Sequence, residues 1–113
     1  MRSGWLLRDG DVVCALEMAE SSEERRNGLR GREGLDGALH LEGVRTVQTL
    51  GVGFPIDVAF LSSDLTVLRV ASLKPRRMSV GGPGARSVVA AQAGSFDRWG
   101  VREGDQLEVR EAK

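Results

Sequence analysis

The chain has few of the residues on which most catalytic and structural sites depend. Its 113 residues include one cysteine, one histidine, three prolines and no tyrosine, and aromatic residues make up 4%. A single cysteine, Cys14, excludes an internal disulfide, which is typical of a reducing compartment. Because Cys14 and His40 stand far apart in the sequence, they give no metal-ligand spacing. We therefore expect neither a bound metal nor another cofactor.

Net charge and long apolar runs are also missing. Sixteen basic and sixteen acidic residues cancel, so no bulk field favours nucleic acid or an anionic membrane. Leu6 and Leu7 are followed at once by charged residues, whereas a secretory signal needs about 7–15 apolar residues. No run approaches the roughly 18 apolar residues of a membrane span. We expect a cytoplasmic protein without membrane contact, and the scarce aromatic side chains count against stacking of single-stranded nucleic acid.

Length and composition predict one domain over residues 1–113. A hydrophobic content of 41% and a charged content of 28% are typical of a soluble globular protein. The fifteen glycines separate short segments, which favours a mainly β domain with many turns.

Short segments with period-two alternation predict most of the strands. They fall at residues 5–8, 12–18, 44–50, 56–61, 66–73, 87–93 and 106–110. Asp9-Gly10 predicts a tight hairpin turn, and residues 87–93, apolar on both faces, predict a central strand. Short strands with frequent turns predict a small, single-domain, β-barrel-like fold of the mainly β (α+β) class.

Two helical elements complete this expectation, a short charged helix and a single helical turn. Ser21 followed by Glu24 matches a capping box at the start of the charged helix. Ser95 is expected to cap the helical turn, and Gly100 is expected to end it. The charged helix has two interpretations, a solvated element or a surface for a partner or an anion. That surface would be made by Arg25, Arg26, Arg30 and Arg32.

A glycine-rich turn runs into the strand that carries Asp57. Gly51 and Gly53 precede Pro55, which is tolerated at the start of a strand. An acid that follows an apolar turn is expected to be partly buried, and it must then find hydrogen-bond donors or shift its pKa. We expect Asp57 to cap amides of the glycine-rich turn; the alternative is a binding or catalytic acid. Cys14, His40 and Asp57 have the residue types of a nucleophile triad, but no local motif supports one.

The segment from Leu65 to Phe96 contains no acidic residue. Its basic residues are Arg69, Lys74, Arg76, Arg77 and Arg86. Residues 74–86 are expected to form a loop, either simply solvated or able to cradle an anion with arginine and glycine backbone. The Gly-Lys-Ser/Thr of a nucleotide P-loop is missing.

Five stretches together resemble the DUF192 family of small bacterial and archaeal proteins. They are residues 24–32 (Glu-Arg-Arg-Asn-Gly-Leu-Arg-Gly-Arg), 37–39 (Gly-Ala-Leu), 54–60 (Phe-Pro-Ile-Asp-Val-Ala-Phe), 93–94 (Ala-Gly) and 104–105 (Gly-Asp). Their order and spacing cover nearly the whole chain. The resemblance implies a compact, mainly β fold with a small helical component, and it implies no established activity.

The chain departs from the family pattern just before Pro55. Relatives commonly carry a His-Thr-Phe-Gly-Met-Arg or Phe-Trp-Met-Lys-Asn-Thr type of segment, where this chain has Gln48-Thr49-Leu50-Gly51-Val52-Gly53. A glutamate that often precedes the Ala-Gly pair is Ala90 here. The resemblance therefore implies a divergent member that keeps Asp57 but lacks the imidazole, the thioether and the cation.

These observations favour a non-enzymatic module that binds a small anion or a protein partner, with no residue assigned to catalysis. Its candidate binding residues are Thr49, Gly51, Gly53, Asp57, Arg25, Arg26, Arg76 and Arg77. One alternative is an enzyme with Asp57 as general acid or base, although few partner groups are at hand. Another is a weak nucleic-acid-binding module acting through residues 69–86, against which the neutral net charge counts.

Overall fold

The computed structural model describes residues 1–112 and is built mainly from β-strands, as the sequence predicts. The strands are β1 (Arg2–Arg8), β2 (Asp11–Ala19), β3 (Ala38–Glu42), β4 (Thr46–Gln48), β5 (Ile56–Leu61), β6 (Val67–Leu73), β7 (Met78–Val80), β8 (Ser87–Gln92) and β9 (Leu107–Glu111). The helices are α1 (Ser22–Asn27) and α2 (Ser95–Trp99).

One seven-stranded sheet has the order β6-β5-β8-β3-β2-β1-β9, and β4 and β7 form a separate two-stranded sheet. All neighbours are antiparallel except β2 and β3. The parallel pair requires a crossover, and α1 lies within it. The sheet curls until its outer strands meet at an isolated bridge between Thr66 and Gln106. Because they share no ladder, the sheet is not a closed barrel.

The three middle strands of the large sheet are buried on both faces. Every residue of β5 is buried, and in β3 and β8 only the last residue is exposed. Since successive side chains point to opposite faces, the two faces belong to different cores. Val58, Leu39 and Val88 pack in one core, and Ala59, Ala38 and Val89 pack in the other. The predicted central strand over residues 87–93 is confirmed as β8.

Two local predictions are confirmed at the start of the chain. Asp9 and Gly10 have φ values of 54° and 80°, which a tight hairpin turn of this kind requires. The Ser21 hydroxyl accepts a hydrogen bond from the Glu24 amide at 3.1 Å, and the Glu24 carboxylate accepts one from the Ser21 amide at 3.2 Å. This capping box starts α1, which buries none of its own residues.

The expected loop over residues 74–86 is wrong in its middle, because it contains β7. Residues Met78–Val80 pair with β4 in the register Thr46–Val80, Val47–Ser79 and Gln48–Met78. A strand of three residues has little local signal, and its pairing partner lies some thirty positions earlier. The resulting ribbon covers one face of the large sheet, where Val47 joins the core.

The start of α2 also differs from the expectation. Gly94 rather than Ser95 is the N-cap residue, and no side chain within α2 caps it. The cap comes from Asp57, whose Oδ2 accepts hydrogen bonds from the amides of Gly94 at 3.0 Å and Phe96 at 3.1 Å. Its Oδ1 accepts one from the Ser72 hydroxyl at 2.8 Å. Asp57 thus caps backbone amides, but those of α2 rather than those of the glycine-rich turn.

His40 lies on β3 on the same face as Ala38, and it is 4% exposed. Neither ring nitrogen has a hydrogen-bond partner within residues 1–112. Burial lowers the pKa of His40 below its usual range, and the negative charge of Glu20 opposes this only in part. The folded protein therefore holds His40 as a neutral imidazole.

Replacing the Asp57 carboxylate should destabilise the fold more than replacing an exposed acid. Asp57→Ala leaves two amides without an acceptor, and each unsatisfied buried group costs about 1–3 kcal/mol. We expect the free energy of unfolding in urea to fall by about 2–4 kcal/mol. Asp36→Ala, at an exposed acid, serves as the control. Equal stability of the two variants would contradict the capping role of Asp57.

Stability should depend on pH through His40. Because its folded pKa is lowered, the unfolded chain binds more protons, and stability is lost as pH falls below about 6.5. For one proton the loss can be at most about 1.4 kcal/mol per pH unit, and chemical unfolding between pH 8 and pH 5 measures it. His40→Leu should remove this slope and raise stability, since it deletes two unpaired buried nitrogens. An unchanged slope in His40→Leu would assign it to other groups.

Candidate functional site

A cavity of about 230 Å³ lies between α1 and β4. Three arginines line one side, namely Arg25, Arg26 and Arg30. No aspartate or glutamate is among the lining residues. Because guanidinium groups are always charged at neutral pH, the cavity carries a positive potential in a chain with no net charge.

The three arginines differ in how tightly they are held. Arg25 donates hydrogen bonds to the Glu42 carbonyl at 2.7 Å and to the Ser22 hydroxyl at 3.4 Å. Its guanidinium lies against Gly43, where a Cβ atom would approach Nη1 to 2.8 Å. Arg26 and Arg30 are exposed, and within residues 1–112 neither side chain makes a hydrogen bond or an ion pair. Arg25 is therefore fixed, and the other two remain free to bind.

The floor of the cavity is apolar. Its residues come from the segment after α1, from β3, β4 and the connection between them, and from the turn before β5: Leu29, Leu41, Val44, Val47 and Val52. Four of them are buried in the core on this face of the sheet, and Val44 packs against it. The buried four are only 4–7% exposed, so the exposed apolar surface of the cavity comes mainly from Val44 and from Leu50, which is 60% exposed.

The remaining side of the cavity is β4 and the turn that follows it. Thr46, Gln48 and Leu50 line this side, and all three are exposed. The Gln48 side chain accepts a hydrogen bond from the Leu50 amide at 2.7 Å. The Val52 amide bonds the Thr49 carbonyl at 3.1 Å, which closes the turn over residues 49–52.

Thr49 fixes the loop that carries Lys74, Arg76 and Arg77, here called the basic loop, beside this turn. Its side chain is fully buried; the hydroxyl donates to the Lys74 carbonyl and accepts from the Arg77 amide, both at 2.8 Å. Its carbonyl accepts from the Arg76 amide at 3.3 Å. Thr49 therefore positions Arg76 and Arg77. Its hydroxyl already donates one hydrogen bond to the backbone and accepts another from it.

The structure brings together only part of the predicted binding set. Arg25 and Arg26 line the cavity, and Gly51 lies beside it, with its missing Cβ 3.6 Å from Arg30 Cγ. Arg76 and Arg77 are exposed at the basic loop, next to the turn but outside the cavity lining. Gly53 has open space around it.

Asp57 lies apart from this cavity. Its carboxylate is 4% exposed and is directed to α2 and Ser72, as described above. The sequence grouped Asp57 with the candidate binding residues because it follows Gly53 of the glycine-rich turn by only four positions. The strand between them turns its side chain to the other face of the sheet, since Ile56 and Val58 occupy the cavity-side core.

Arg32, grouped with the helix arginines, instead bonds the Gly28 carbonyl at 2.7 Å and the Glu17 carboxylate at 2.5 Å. Sequence reasoning gave no role to Thr46 or to the apolar floor. Arg30 lies three residues beyond the end of α1, so no helical spacing predicts that it lines the same cavity as Arg26.

The residues of the nucleophile triad do not assemble. Asp57 lies on β5, which β8 separates from the β3 strand of His40. Cys14 lies on β2 opposite Leu6, and burial raises its pKa to about 11. Such a thiol is almost wholly protonated at neutral pH and is a poor nucleophile.

Within residues 1–112, no group of three or more His, Cys, Asp or Glu side chains is arranged to hold a metal ion. Over the same residues, neither helix has the length and apolar character to cross a membrane.

Two crystal structures share the fold of this chain. One is a protein of Sinorhizobium meliloti described as a proposed transcription regulator, with a TM-score of 0.80 and 22% identity, over 96% of this chain and 92% of that one. The other is a protein of unknown function from Novosphingobium aromaticivorans, with a TM-score of 0.74 and 18% identity, over 96% and 84%. At these identities the likeness shows the fold alone.

Sequence comparison gives the family. No curated protein matches the chain. The model of the DUF192 family, described as "Uncharacterized ACR, COG1430", matches residues 5–109. This match covers nearly all the described strands together with α1 and the residues that line the cavity. The chain therefore belongs to the DUF192 family.

Proposed function

We propose that this protein is a non-enzymatic binding module that captures an anionic ligand in the cavity beside α1. The observation that carries the proposal is the set of three arginines around an apolar floor without any lining acid. Guanidinium groups form strong, charge-assisted and often bidentate hydrogen bonds with carboxylate and phosphate. The ligand is either a small anion or an acidic segment of a protein partner.

The three cavity arginines differ in how they are held, and this difference supports a binding role. Arg25 is already bonded to the backbone of β3, so it contributes a fixed charge. Arg26 and Arg30 have free guanidinium groups that can close on an anion. Arg76 and Arg77 extend the positive surface beyond the turn over residues 49–52, where they would meet the far end of a larger ligand.

The apolar floor narrows the class of ligand. A bare inorganic anion would leave Val44 and Leu50, the lining apolar residues that are not buried, uncovered. A carboxylate with a short alkyl or aromatic body would cover them and gain from the removal of apolar surface from water. We therefore expect organic carboxylates to bind better than phosphate of the same charge.

The contacts of Asp57 weigh against the enzymatic alternative. A general base must have a lone pair within reach of a substrate proton. Both oxygens of Asp57 accept hydrogen bonds from protein donors, and the group is buried away from the arginine cavity. Asp57→Asn should leave ligand binding at that cavity unchanged.

Nucleic-acid binding through residues 69–86 is the second candidate, and the S. meliloti neighbour, a proposed transcription regulator, is the observation that favours it. Two contacts weigh against it, since Arg69 bonds the Val80 carbonyl and Arg86 the Ala85 carbonyl. If it is correct, a labelled duplex should bind with an affinity that falls steeply with salt. We propose that either function takes place in the cytoplasm.

Organic anions should raise the melting temperature of the protein. At a concentration a hundredfold above Kd, a ligand stabilises the folded state by about 2.7 kcal/mol, which corresponds to a shift of roughly 10 °C or more for a domain of this size. Hexanoate, acetate and inorganic phosphate are compared at equal ionic strength. Because its alkyl chain can cover Val44 and Leu50, we expect hexanoate to give the largest shift.

Arginine variants test whether the shift in melting temperature arises from binding in the cavity. Arg26→Ala and Arg30→Ala should each reduce the hexanoate shift strongly, and Arg76→Ala should reduce it only for longer acids. Arg102→Ala, at an exposed arginine on the turn before β9, is the matched control for the loss of one positive charge. A shift that survives in both cavity variants, or that falls equally in Arg102→Ala, would contradict the proposal.

A further inference from the structure

The strand that borders the arginine cavity has a free edge. Within residues 1–112, β4 pairs only with β7. The bonds from the Gly81 amide to the Arg45 carbonyl and from the Thr49 amide to the Arg77 carbonyl show which residues turn their backbone toward β7. In an antiparallel ladder this direction alternates. The backbone groups of Thr46 and Gln48 therefore point to the opposite edge.

This free edge faces the cavity and not a neighbouring strand. On the other side of the ribbon, β7 lies beside β6, where Arg69 donates to the Val80 carbonyl. The ribbon therefore has β6 on its β7 side and α1 on its β4 side. All three residues of β4 line the cavity, and Arg26 and Arg30 line it as well.

We propose that an extended acidic peptide binds in this cavity as an added strand along the free edge of β4. The inference rests on the proposed anion capture and specifies the ligand. A strand edge presents N–H and C=O groups together, and only another backbone matches both. A phosphate or a free carboxylate has acceptors alone and would leave the carbonyls of Thr46 and Gln48 unmatched.

The two walls of the cavity define the sequence of the peptide. Successive side chains of a strand point to opposite faces, so one set would meet the apolar floor and the alternate set would reach the arginines. Charge complementarity therefore calls for acidic residues that alternate with small apolar ones. A three-residue strand spans about 10 Å, which suits a peptide of about five residues.

A capped pentapeptide, acetyl-Glu-Val-Glu-Val-Glu-amide with a fluorescent label, tests the inference by anisotropy titration with the intact protein. Two further peptides carry N-methyl groups, one on the two valines and the other on the first and third glutamates. In strand addition only every second peptide amide points to β4, so either the valine amides or the glutamate amides pair with it. We expect one methylated peptide to bind about tenfold or more weakly, and the other to bind like the parent.

Protein variants provide the complementary arm. Arg26→Ala and Arg30→Ala should weaken binding of the parent peptide, and Arg102→Ala should not. Thr46→Pro removes an outward amide of β4 without removing a bond to β7, so it should also weaken binding. If Thr46→Pro fails to fold, the methylated peptides still decide the question.

The outcomes separate this inference from the proposed function. If both methylated peptides bind like the parent and binding is lost in Arg26→Ala, charge capture stands and strand addition is overturned. If no peptide binds but hexanoate still stabilises the protein through Arg26, the ligand is a small molecule and the inference is again overturned. If neither peptides nor hexanoate bind, both proposals are overturned.

Discussion

The burial of β3, β5 and β8 on both faces is the constraint on which the rest of the structure depends. Apolar side chains on both sides of a strand must be kept from water, so the sheet needs a cover on each face. The curl of the sheet and α2 provide one cover. The other is assembled from two separate pieces, the segment around α1 and the β4–β7 ribbon, and the arginine cavity is the gap between them.

The two pieces are held by different means, and this affects what the gap can do. The α1 segment is joined to β3 by the bond from Arg25 to the Glu42 carbonyl and to the core by Leu29 and Leu35. The ribbon is held by Val47 in the core and by the Thr49 hydroxyl at the basic loop. Each wall is thus fixed to the sheet independently. A ligand between them meets a preformed floor and strand edge, so that of the cavity arginines only Arg26 and Arg30 must become ordered on binding.

The numbers of basic and acidic residues are equal, so the local charge at any site depends on where the charged side chains lie. Most arginines on the β1 and β2 side have carboxylate partners: Arg2 with Glu20 and Glu111, Arg8 with Asp105, and Arg32 with Glu17. Exposed pairs of this kind contribute little to stability, but they neutralise the local field. No acid is among the residues that line the cavity. A chain without net charge therefore still presents three guanidinium groups at one site without a paired carboxylate among residues 1–112.

The sequence by itself determined the local elements and the family. Asp9-Gly10, the Ser21–Glu24 capping box and the apolar run of β8 act over a few residues, so their signals could be read without the fold. Only the tertiary structure decided the role of Asp57 and the shape of the site. Asp57 is matched with amides some forty positions later, and β4 with β7 about thirty positions apart, and pairings at such separations leave no local pattern. The same fold that turned Asp57 away from the glycine-rich turn brought Arg26 and Arg30 against the free edge of β4.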